Sequence, residues 1–152
     1  MTAERGLILT PEPGGWLVVD ASIVAKWFFE EEHSRQALAL TRVPDVLLAP
    51  DLLISEVASV FVKKARRGEM RSSSADEALE VIDLFVTLRR AEQLFWPAIR
   101  AALEYGRSLY DSLYVALALA EGCRFVTADQ RLYNALLPRL GDTMLWIEDV
   151  PA

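Results

Sequence analysis

Residues 108–129 read SLYDSLYVALALAEGCRFVTAD. Ser108 and Gly122 bracket a helical pattern over Leu109–Glu121, with a helix-capping residue type in front and a helix-stopping one behind. Arg124–Thr127 then forms a short β-branched and aromatic run, and Asp129 closes it. Helix, glycine stop, strand and a trailing acid therefore follow one another in a single stretch. Working outward, the same strand-then-acid ending recurs at Trp16–Val19, which Asp20 follows.

Further apolar runs predict strands at Val46–Ala49, Gln93–Phe95 and Met144–Ile147. Between the strands lie helical patterns: Ser22–Phe29, Ser34–Thr41, about Leu52 to Arg67 with Gly68 as its stop, and Ser74 to about Leu88. Ser74 and Glu77 have capping-box spacing. Pro97 suits the first turn of a helix that ends near Tyr105, and a last short helix follows Asp129. Alternating strands and helices predict an α/β fold whose parallel sheet is covered on both faces. In such folds the working crevice lies at the carboxyl ends of the strands.

The composition is compatible with this. The chain has 152 residues, of which 53% are hydrophobic and 25% charged, which suits one domain with a sizeable core. Residues 1–15 read as a loose leader and 16–150 as the domain; MTAERGLILTPEPGGW holds no long apolar stretch behind a basic start, so no signal peptide is expected. No apolar run approaches the ~20 residues of a membrane span. The lone cysteine, Cys123, excludes an internal disulfide and predicts a reducing, cytoplasmic setting. The net charge of −6 argues against a nucleic-acid partner unless several acids bind cations. It also suits a basic protein partner.

Four acids stand at telling positions. Asp20 and Asp129 end strands; each also reads as a helix cap. Asp111 lies three residues after Ser108, which makes it a capping acid as well as a crevice candidate. Glu56 has Leu52, Leu53 and Val60 as helical neighbours, so its carboxylate sits in an apolar stripe, where burial is costly without a partner or an ion. Carboxylates gathered in one crevice repel: a pair ~4 Å apart costs about 4 kcal/mol at an effective dielectric near 20. Either some stay protonated or a hard divalent cation neutralises them, and all-oxygen ligands suit Mg²⁺ or Mn²⁺. The only histidine, His33, lies in a polar stretch and reads as a surface residue. Lys63 and Arg67 follow Glu56 by seven and eleven residues on one helix face, where they could form a basic rim or simply offset the helix dipole. Trp27, Phe28, Phe61, Phe85, Trp96 and Trp146 read as core or dimer packing.

At these residues the chain resembles a known family. VVDASIVAKWFFEEEHSRQALAL resembles the opening motif of PIN domains, above all the VapC toxins. APDLLISEVASVF is similar to their second motif, SLYDSLYVALA to the third and FVTADQRL to the fourth. The motifs run in family order from Val18 to about Leu132. The resemblance implies a three-layer α/β/α sandwich with a central parallel sheet of about five strands. It implies metal-dependent endoribonuclease activity on RNA phosphodiesters, with Mg²⁺ or Mn²⁺ as cofactor. Asp20, Glu56, Asp111 and Asp129 would form the acidic metal pocket, Glu56 as a ligand or a general base. Thr127 and Ser22 would support it with their hydroxyls. A VapB-like antitoxin and a second copy of the chain are the implied partners. Some members carry another acid two residues after the fourth motif's Asp, where this chain has Arg131.

Other readings make specific demands. A haloacid-dehalogenase-type phosphotransferase wants a second Asp two residues after Asp20, where Ser22 stands. A receiver domain wants adjacent acids after strand one and a lysine after the last strand; Val19 precedes Asp20, and Glu148-Asp149 follow the last strand. A PIN-like module that binds without cutting is the remaining alternative.

Overall fold

In the computed structural model, which describes residues 15–43 and 45–152, the first described element is the strand β1, Trp16–Val19. The leader expected over residues 1–15 lies, except for Gly15, outside the described residues. Leu17, Val18 and Val19 are fully buried, the mark of a strand covered on both faces. β1 is joined on one side by β2, Val46–Pro50, and on the other by β4, Arg124–Thr127, both parallel to it. β3, Val86–Arg89, lies outside β2, and β5, Met144–Trp146, outside β4, so the order is β3-β2-β1-β4-β5. All pairings are parallel.

Helices supply the crossovers. α1 (Ala21–Val24) continues as a tight 3₁₀ turn over Ala25–Trp27, shorter than the helix expected to Phe29. α2 (Ser34–Ala39) also tightens at its end, and α3 (Leu52–Arg66) follows β2. α4 (Ala75–Phe85) leads into β3, and α5 (Phe95–Tyr105) and α6 (Leu109–Glu121) then pack against each other. α7 (Gln130–Leu140) precedes β5. One contiguous apolar core joins the sheet to helices on it, with Ile23, Leu53, Val57, Ile82, Leu117 and Leu136 fully buried. Among the described residues no helix is long and apolar enough to cross a membrane.

Two expectations are corrected. The third strand is Val86–Arg89, not Gln93–Phe95: Gln93 and Leu94 lie in a 3₁₀ turn and Phe95 opens α5. Pro97 lies in the first turn of that helix, where its missing N–H costs no bond, so the helix begins before the proline and absorbs the apolar run. The capping box at Ser74 does not form either. Ser74 ends a 3₁₀ turn with helical backbone (φ −87°, ψ −12°), and its side chain makes no capping bond.

The topology makes a crevice. The chain steps from β1 outward to β2 and β3, then returns to β4 on the other flank of β1. Crossovers leave in opposite directions from β1 and β4, so the sheet opens between their carboxyl ends. Asp20 and Asp129 follow those two strands.

Candidate active site

Asp20 is the most enclosed of the four acids, with 6% of its surface exposed. It caps α1 by accepting from Ile23 N at 3.2 Å. The Ser22 hydroxyl donates to Oδ1 and the Thr127 hydroxyl to Oδ2, both at 2.5 Å. Val19 pairs with Val126, so Asp20 and Thr127 come side by side one step beyond. The hydroxyls are fixed in turn: Ala128 N donates to Ser22 Oγ at 2.9 Å and Asp129 N to Thr127 Oγ1 at 3.0 Å. Burial pushes the Asp20 carboxyl up from 3.8 to about 6 against these hydrogen bonds, and the charge of Asp129 adds to the rise.

Asp129 itself is exposed and caps α7, accepting from Leu132 N at 3.1 Å. Glu56, half-buried on α3, accepts from the Tyr114 hydroxyl at 2.5 Å. Its carboxyl is raised by burial, lowered by that bond and raised again by Asp111. Asp111 takes Ser108 Oγ as its backbone cap at 3.0 Å, while its carboxylate receives Arg107 Nη2 at 3.1 Å. Tyr114 is buried, stacks on Phe125 and has its phenol held well above its ordinary range by burial and by the charges of Glu56, Asp20 and Asp111. Tyr114 thus feels three of the acids, and Asp20 feels the fourth, Asp129.

Capping and convergence coexist: Asp20 and Asp129 are helix caps, and Asp111 is in a capped first turn, as the alternative readings held. Yet each acid is occupied by its own partner. Among the described residues no three Asp, Glu, His or Cys side chains form a ready cage for a metal ion. The donor set still fits a hard divalent cation in kind. It consists of carboxylates and hydroxyls raised or constrained by one another, with no imidazole or thiolate near. His33 is instead bonded to Glu148 at 2.9 Å, and Cys123, at the far end of β4, has a thiol pushed up to about 11 by burial.

Lys63 and Arg67 are exposed near the C-terminal end of α3. Lys64 between them is engaged by Glu69 at 3.1 Å and Glu31 at 3.5 Å. Lys26 pairs with Glu31 at 3.2 Å. Of the aromatics, Phe61 is core, Trp27 and Phe28 pack against Phe85 and Phe61, and Trp96 stays 69% exposed.

Two site residues escaped the sequence reading, Tyr114 and Arg107. A tyrosine inside an apolar helix face needs a partner for its hydroxyl, which was a usable signal one turn from Asp111. An arginine just before a helix cap, at the positive end of the dipole, was another.

A model of the PIN domain matches residues 17–135. The chain belongs to the PIN-domain family. Ribonuclease VapC3 of Pyrobaculum aerophilum is 37% identical over 119 residues, covering 76% of this chain and 91% of that protein. Ribonuclease VapC9 of Mycobacterium tuberculosis is 38% identical over 120 residues, covering 76% and 87%. The crystal structure of PAE2754 from Pyrobaculum aerophilum superposes with a TM-score of 0.61 at 22% identity over 87% of this chain and 89% of that one, a likeness of fold. All four acids fall inside the span matched to the PIN domain, as do Ser22, Tyr114 and Thr127. The three-layer α/β/α architecture expected from the motifs is the one found.

Proposed function

We propose that residues 16–150 of this PIN-domain chain act as one metal-dependent endoribonuclease domain, the toxin of a toxin–antitoxin pair, as the names of its VapC relatives suggest. The observation that carries this reading is the linkage of acids from four segments, with Asp20 and Asp129 following β1 and β4 and Glu56, Asp20 and Asp111 all acting on Tyr114.

Asp20, Asp111 and Asp129 would hold Mg²⁺ or Mn²⁺, with Glu56 as a further ligand or as the base. When bound, the ion supplies Lewis-acid stabilisation of charge on the phosphate oxygens and lowers the pKa of attacking water. The chain's own groups do the rest. Ser22 and Thr127 fix both oxygens of Asp20, so this carboxylate is oriented before anything binds. Tyr114 holds Glu56 by one oxygen, which leaves the other free to accept a proton from water. Lys63 and Arg67 would meet RNA phosphates at the rim. A basic VapB-like antitoxin would complement the net charge of −6, and the cytoplasm is the setting in which such a pair acts.

Purified protein is incubated with total cellular RNA and Mg²⁺ or Mn²⁺, with Asp20→Asn as control. Cleavage abolished by chelator and by the substitution supports the reading. Metal binding by the folded, antitoxin-free protein without cleavage of any RNA tested overturns it in favour of a binding module.

A further inference from the structure

Arg107 stands where elementary electrostatics does not favour a cation. It directly precedes the cap of α6, at the positive end of that helix's dipole. Its guanidinium nevertheless reaches the acidic crevice, and among the described residues it is the one cation bonded to any of the four acids. The contact is a single one, Nη2 to Asp111 Oδ2 at 3.1 Å, between side chains 29% and 31% exposed. Nε is buried and lacks a hydrogen-bond partner. A buried donor without an acceptor is costly, and a structural arginine–carboxylate pair would more naturally use both teeth of the fork. Arg107 is thus bound to the site by one tooth, with donor capacity left over.

The substrate supplies what is missing. A phosphodiester presents two oxygens that match the planar fork, and four carboxylates otherwise repel it. We propose that Arg107 is an RNA phosphate-binding residue of this crevice, held by Asp111 until the charge of Asp111 is neutralised. This rests on the nuclease reading above. Neutralisation by a cation, or by Asp111→Asn, removes the competing negative charge and turns the guanidinium over to phosphate.

The test needs no turnover. Binding of a fluorescent single-stranded RNA oligonucleotide is followed by anisotropy in chelator across a salt series. The proteins are wild type, Asp111→Asn, Arg107→Gln, the double variant and Arg107→Lys. Asp129→Asn, alone and with Arg107→Gln, controls for simple loss of negative charge. Asp111→Asn is expected to tighten binding roughly tenfold, the scale of one charge-assisted contact. Arg107→Gln should remove most of that gain and flatten the salt dependence by about 0.7 in log–log slope, one phosphate's worth for a single strand. Arg107→Lys should restore the slope but only part of the affinity. The gain from Asp129→Asn should be the same with and without Arg107. An equal gain from Asp111→Asn in both backgrounds, with an unchanged slope, overturns the proposal. If wild type also binds Mn²⁺ and cuts RNA, the phosphate role alone fails. If it does neither, the nuclease reading falls and the phosphate role with it.

Discussion

Burial and ionisation pull Asp20 in opposite directions. Its carboxyl titrates near 6 in the fold against 3.8 ordinarily, so the folded state holds the proton more tightly than the unfolded chain. The sign follows: this stabilisation is fully present below about 3.8 and is lost as pH rises through about 6. Two units correspond to about 3 kcal/mol. Denaturant unfolding in chelator between pH 4 and 7.5 should therefore show wild type losing stability relative to Asp20→Asn. Parallel curves for the two proteins would mean that Asp20 carries no such cost. Tyr114 acts on the neighbouring acid. Tyr114→Phe removes the bond to Glu56 and should lower stability by about 1 kcal/mol. If Glu56 orients water, kcat should fall roughly tenfold with KM little changed; an unaltered kcat would deny Glu56 that role. At this scale the acids were legible because a carboxylate after an apolar run, or inside an apolar stripe, is conspicuous. Their partners were not. The bond from Tyr114 to Glu56 spans 58 positions and that from Thr127 to Asp20 spans 107, and only folding brings such pairs together.

Elements were readable where local chemistry and tertiary packing agree. α6 shows this at both ends: Ser108 caps it, and Gly122 closes it in the left-handed conformation at φ 62°. A Cβ on Gly122 would meet nothing within 4 Å, so a substitution there is strained by the backbone alone. Gly122→Ala should cost about 1 kcal/mol in thermal or denaturant unfolding without changing the site. A loss several times larger would point to packing that the open space does not predict. β3 failed for the opposite reason. Val86–Arg89 directly continues α4, with no glycine or proline between, so helical periodicity runs straight through it. What makes it a strand is pairing with β2, Leu47 to Val86 and Ala49 to Leu88, some forty residues upstream. Gln93–Phe95 has a strand's composition, but it is taken up by a 3₁₀ turn and the helix that follows.

At the scale of the whole molecule, the apolar surface left uncovered is the sharpest asymmetry. Trp96, Ile99 and Leu103 lie at i, i+3 and i+7 of α5, with 69%, 42% and 82% of their surface exposed, and Tyr110 at the start of α6 adds 59%. Apolar side chains gathered on one helix face are of the kind that association surfaces use, rather than scattered exposure. A second copy of the chain is the occupant expected from the PIN-family motifs. A two-fold contact would set the stripe of one protomer against that of its partner. Leu103 is the informative position, because its side chain is the most exposed of the set and contributes least to its own protomer's core. Leu103→Glu should leave the fold's unfolding transition close to wild type, since exposed substitutions usually fall within ~0.5 kcal/mol. It should also set like charges facing each other across the two-fold axis. Sedimentation of wild type over a wide concentration range should give a dimer, and Leu103→Glu a monomer at the same concentrations. A wild type that stays monomeric throughout, or a Leu103→Glu protein that still pairs, would rule out the α5 stripe as the dimer contact.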